Sequence, residues 1–165
     1  MSPGDVLALV VEVNVAIAGF SGIVIVLGHR GSEEWTAVDR LRLGGLLNAS
    51  VAPMAISGLA LVLLASQVPS ETVWRICSGT YAALFALFWI RGMRIAASLE
   101  AAAINRGQLI SIAVSGVATM SLLTANALSL HAFWPLALGL AYHIGLALFN
   151  FFSLLQRVVS DEKAV

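Results

Sequence analysis

The chain has 165 residues, enough for one domain; 59% are hydrophobic and only 11% charged, with a mean hydropathy of +0.93. A soluble domain carries about 25% charge, so this composition excludes an ordinary soluble fold and indicates a membrane protein whose first partner is the lipid bilayer. A formal net charge of +0 offers no global field for nucleic acid, and a single cysteine, Cys77, excludes an intrachain disulfide or a Cys-based metal cluster.

A helix needs about 20 mostly apolar residues to cross the hydrocarbon core. In chain order, five stretches qualify or nearly do: Val6–Gly28, Leu43–Ser66, Val73–Ile90, Gln108–Leu130 and Trp134–Leu155. The first contains an A-x-A-like site at Ala16 and Ala18. However, the leader MSPGD lacks Lys and Arg, and Glu12 interrupts the apolar region, so a retained span is expected. Thr36 and Asp39 have capping-box spacing ahead of the second helix. In the next connection Ser70 is the candidate N-cap. The Ala-rich segment IAASLEAAA should prolong the third helix, and SLHAFWP should be a tight turn between two antiparallel helices. The expected fold is an all-α integral membrane protein, a single five-span transmembrane bundle over residues 1–165. A four-span arrangement results if the first segment lies flat at the interface.

Arg30, Arg40, Arg42, Arg91, Arg94, Arg106, Arg157 and Lys163 fall on one side of a five-span chain, and Arg75 alone falls on the other. By the positive-inside rule the N-terminus is outside and the C-terminus cytoplasmic, as in a multi-pass protein of the plasma (inner) membrane. The Arg-for-Lys bias fits a GC-rich bacterial genome. Trp35 and Trp89 should mark the inner interface and Trp74 and Trp134 the outer one.

Polar residues within the spans carry the functional question. On the first helix, Val13, Ile17, Phe20, Val24 and Leu27 form an apolar arc suited to lipid. Glu12, Asn14, Ala18, Gly19, Ser21 and Gly22 form the arc suited to protein contact. Gly139, His143, Leu146, Asn150, Ser153 and Arg157 share one face of the fifth helix, and Ser111, Ser115, Thr119 and Asn126 one face of the fourth. On the second helix Gly44, Asn48, Ala52 and Ala55 share a face, and Pro53 frees the carbonyl of Ala49, which Asn48 or Ser50 could satisfy. The small-xxx-small pairs Ala18/Gly22 and Gly45/Ala49 predict close packing. The third helix, bulky and apolar, should be peripheral.

By depth, Glu12, Asn14, Asn126 and His143 form an outer polar layer with ionisable members, and Ser21, Asn48 and Asn150 an inner neutral one. An intramembrane carboxylate is a functional candidate by default. Glu12 is expected to turn toward His143, with Asn126 as a third member, either as polar core or as a proton relay. His143 has three readings: an interhelical hydrogen-bonding histidine, the relay partner of Glu12, or a haem or metal ligand. The last lacks a second histidine at matched depth, since His29 and His131 lie near the membrane surfaces, so no cofactor is assigned. With no nucleophile motif, no P-loop and no soluble domain, the chain reads as a non-enzymatic membrane protein, on its own as a homo-oligomer or as a subunit of a larger membrane complex. Proton or solute translocation through Glu12 and His143 is the alternative.

Overall fold

The computed structural model describes residues 1–28, 36–98 and 106–162, and these form five helices: α1 (Pro3–Gly28), α2 (Ala37–Ala65), α3 (Ser70–Ser98), α4 (Arg106–Ala125) and α5 (Phe133–Glu162). All five are long and apolar enough to cross a membrane, and no strand occurs among the described residues. His29, Arg30, Trp35, Lys163 and the end of the Ala-rich segment lie outside the described residues. So do the side chains of Val24, Leu27, Arg106 and Arg157.

The helix ends follow local chemistry. Ser2 and Asp5 close a reciprocal box around Pro3: the Ser2 N–H donates to Asp5 Oδ2 at 2.7 Å and the Asp5 N–H to Ser2 Oγ at 3.2 Å. Proline suits this first helical position, where its missing donor has no intrahelical partner to lose. The Thr36–Asp39 capping box forms as its spacing predicts. The Asp39 N–H donates to Thr36 Oγ1 and the Thr36 N–H to the Asp39 carboxylate. At the other end of α2, Gln67 adopts a left-handed conformation, φ 57°. Its N–H donates to the Leu64 carbonyl and that of Val68 to the Leu63 carbonyl, the bond pair of a Schellman stop. Ser70 is not the N-cap of α3 but already helical. Pro69 takes the capping position, its carbonyl accepting from the Val73 N–H.

The N-terminus and the two short connections lie at one end of the bundle, here termed the turn end. The opposite, tail end carries the start of α2, the start of α4 and the C-terminus. The central helix is α2, which packs on α1, α3 and α5. A large apolar core fills the turn half, with Leu7, Ile56, Val73, Leu123, Leu136 and Leu140 among its buried members. A much smaller one, Ile17, Leu46, Ala49, Ala147 and Leu154, holds the tail half.

Two sequence expectations change here. The peripheral helix is α4, not α3: 11% of the most apolar stretch of α4 is buried, against 39% for α3. The aromatic residues of α3 turn inward, with Tyr81 fully buried and Phe85 nearly so. On α1 the buried face is Leu7, Val10, Asn14, Ile17 and Ser21, a seam recurring every three and four residues. Ile17, assigned to lipid, is in the core. Phe20 is exposed as expected. Of the two small-residue pairs, Gly45/Ala49 packs, whereas Gly22 has open space beside it. Trp74 and Trp134 lie near the starts of α3 and α5, at the same end of the bundle as expected; Trp134 is exposed, and Trp74 is buried against Phe133 with ring centroids 5.0 Å apart.

Candidate functional site

Residues two apart on a helix point about 200° away from each other. Asn14 and Glu12 therefore cannot share a face, and the structure buries Asn14 completely while exposing Glu12. Glu12 forms no hydrogen bond or ion pair with another described residue. The expected grouping of Glu12, His143 and Asn126 does not form. Asn14 donates from Nδ2 to the Val10 carbonyl of its own helix at 2.8 Å, leaving its Oδ1 buried and unpartnered.

Asn126 is committed elsewhere. It opens a π-helical turn, Asn126–Leu130, that ends at His131 in a left-handed conformation. Its Nδ2 donates to Ser78 Oγ on α3 at 2.7 Å and to the Ala132 carbonyl at 2.9 Å. Its Oδ1 accepts from the Ala132 N–H at 2.9 Å. One buried amide thus ties α3 to the α4–α5 turn with both of its donors and its oxygen engaged, a structural staple.

His143 is buried, 5% exposed, inside an aromatic box. Its ring centroid lies 4.5 Å from that of Phe85, 4.9 Å from Tyr81 and 5.4 Å from Tyr142. Nδ1 lies 3.0 Å from the Gly139 carbonyl. A carbonyl only accepts, so Nδ1 carries the proton. Neutral His143 therefore keeps its Nε2 lone pair, which no described residue engages. Tyr142 also approaches Ser115 on α4, oxygen to oxygen 3.3 Å.

One side of His143 lines a cavity of about 570 Å³ that opens at the tail end. It lies among the first half of α2, the second half of α3, the start of α4 and the middle of α5. The site is layered. Arg40, Arg42, Arg91 and Gln108 stand at the mouth, the amides of Asn48 and Asn150 line the middle, and Phe85, Trp89, Leu146 and Phe149 supply apolar wall. No Asp or Glu occurs among its described lining residues. Arg91 follows Tyr81 by ten residues on α3, so the mouth stands about 15 Å from the level of His143. Gly45 makes room for Asn150, since a Cβ there would lie 3.3 Å from Asn150 Nδ2.

The polar face expected on α5 is thus an inward one: Gly139 and His143 are buried and Leu146 and Asn150 half-buried. The inner neutral layer is split. Asn48 and Asn150 line the cavity, whereas Ser21 is buried with its hydroxyl donating to the Ala18 carbonyl at 2.6 Å. Ser50 donates to the Leu46 carbonyl at 2.9 Å rather than to the carbonyl that Pro53 frees. Sequence reasoning missed Tyr81, whose hydroxyl is buried and unpartnered beside His143, and the aromatic box around it. The spacing Tyr81–Phe85–Trp89, one residue per turn, was the available signal. Ser57 Oγ is a further buried oxygen without a partner. Among the described residues no group of three His, Cys, Asp or Glu side chains could hold a metal. No protein-family model, curated protein or solved structure matches this chain.

Proposed function

We propose that this is a non-enzymatic binding protein of the bacterial plasma membrane, with five spans, the N-terminus outside and the C-terminus cytoplasmic. Its work is done in the tail-end cavity, which takes up a small ligand from the cytoplasmic side. The observation that carries this reading is a half-enclosed cavity with arginines at its mouth and a buried histidine in its far wall. Its volume lies within the ~300–1,000 Å³ range of small-molecule sites. The basic residues that favour a cytoplasmic tail end include the ones at that mouth. This reading replaces translocation through Glu12 and His143, because the two are not brought together.

The test uses Asn150→Cys in a Cys77→Ala background. Among the described residues Asn150 bonds only the Leu146 carbonyl of its own helix, at 2.9 Å, so the smaller side chain is tolerated. A membrane-impermeant maleimide should label this cysteine in inside-out vesicles and leave it unlabelled in right-side-out ones. Labelling only from the outside overturns the orientation; labelling from neither side overturns the open cavity.

Membership of a larger assembly, as homo-oligomer or complex subunit, has its own support. Glu12, Ala16 and Gly19 lie exposed along one face of α1, and a carboxylate in a span is costly to leave against lipid. A contacting helix would cover it. Cysteine cross-linking at Ala16 should then capture a second chain, and Glu12→Gln should reduce the yield without changing the stability of the single chain. No cross-link removes this reading.

A further inference from the structure

We infer that the tail-end cavity binds a single-chain amphiphile with an anionic oxygen head group, a fatty carboxylate or an alkyl phosphate. The head lies between Arg42 and Arg91 and the chain points toward His143. This inference rests on the inward-facing cavity proposed above and specifies what fills it.

Charge is the first argument. Arg42 on the first turns of α2 and Arg91 on α3 both line the mouth, with no carboxylate among the described lining residues to neutralise them. Guanidinium groups pair with carboxylate and phosphate through parallel N–H donors, a geometry that an ammonium does not reproduce. An anion is the complementary occupant, and a cation is repelled.

The wall is the second. Below the arginines, past the amides of Asn48 and Asn150, the lining is mostly apolar, with Phe85, Phe149 and Leu146 among it, and a wholly hydrophilic solute would leave that wall unmatched. A compact anion would be satisfied at the mouth and leave the rest of the cavity wet. An amphiphile fills both parts, head at the charged level and hydrocarbon in the ~15 Å beneath it. This is also the direction a cytoplasmic-leaflet lipid takes. The size of the cavity suits one drug-sized molecule, and a two-chain phospholipid exceeds that.

The floor is the third. His143 is held in place by the Gly139 carbonyl and by three aromatic rings, so the cavity has a rigid end. A ligand chain is bounded in length there.

The experiment reads protection of the Asn150→Cys thiol in nanodiscs of zwitterionic lipid. Dodecanoate should slow maleimide labelling. Dodecanol and dodecyltrimethylammonium, of equal chain length, should not. In Arg42→Ala/Arg91→Ala, half-protection should need at least on the order of tenfold more dodecanoate, the loss expected from removing charge-assisted hydrogen bonds. Protection is read in each variant as the ratio of labelling rates with and without dodecanoate, so a change in the ligand-free rate does not enter the comparison. Acetate should protect much less than dodecanoate if the apolar wall contributes. Equal protection by dodecanol overturns the anionic head. Protection by phosphatidylglycerol nanodiscs with no added dodecanoate overturns the single chain. A thiol that labels freely whatever is added overturns this inference and leaves the cavity standing. A thiol that never labels overturns the cavity itself.

Discussion

The two ends of the bundle use the same residue type in opposite ways. At the turn end, Asn126 spends its amide on Ser78 and on both backbone groups of Ala132, inside a large apolar core. At the tail end, Asn150 reaches back to its own helix at Leu146 and lies between Gly45 and the cavity. An amide that crosses between helices is an architectural part. An amide that bonds its own helix and lines a cavity is available to something else. Burial runs the same way, complete at Asn126 and partial at Asn150, and the location of the hydrogen-bond partner gives the reason.

That contrast can be broken by measurement, most severely at Asn126. Asn126→Ala removes three hydrogen bonds and leaves Ser78 and Ala132 short of partners, so the loss in reversible unfolding should be about 2–3 kcal/mol. Next comes Gly116, where a Cβ would fall 2.3 Å from the Trp89 ring. Gly116→Ala should cost about 1–2 kcal/mol by overpacking and should shift the Trp89 fluorescence. Ser57→Ala is smaller and of opposite sign. Its hydroxyl is buried without a partner, so removing it should leave stability unchanged or raise it by up to ~1 kcal/mol. Asn150→Ala should move stability by no more than ~0.5 kcal/mol. A loss there equal to that of Asn126→Ala would erase the distinction between the two ends.

Much of the fold was legible. The five helices, the Thr36–Asp39 cap, the tight α4–α5 turn and the inward polar face of α5 all follow from patterns whose physics is the same in water and in lipid. The inward face of α1 followed only in part: Asn14 and Ser21 are buried as expected, whereas Ile17 is in the core and Glu12 and Gly19 are exposed. Sorting a helix into apolar and polar arcs identifies the buried side when the outside is water. Against hydrocarbon both sides are apolar, and Ile17 suits core and lipid equally. The small residues Gly19 and Gly22 misled for the same reason, since small size permits close packing but does not supply a neighbour. The bulk of α3 read as a lipid face, whereas Tyr81 and Phe85 are the wall around a histidine sixty residues away in the chain. The pairing of Glu12 with His143 failed at the level of rotation, not depth. Two residues of sequence separate Glu12 from the buried Asn14, and that is half a turn.

The staple at Asn126 has a mechanical consequence. It fixes the turn end of α4 to both neighbours, where Leu123 is also buried against Gly139, while further along the helix is touched by the Ser115–Tyr142 contact and by the Trp89 ring over Gly116. A rod clamped at one end and lightly touched along its length is a lever with its fulcrum at the clamp. Twenty residues of α4 span about 30 Å, so a tilt of about 10° at the fulcrum swings the far tip by about 5 Å. That tip carries Gln108 and Leu109, which border the cavity. A change of tilt at the asparagine-bound turn would therefore register at the entrance, at the opposite end of the molecule.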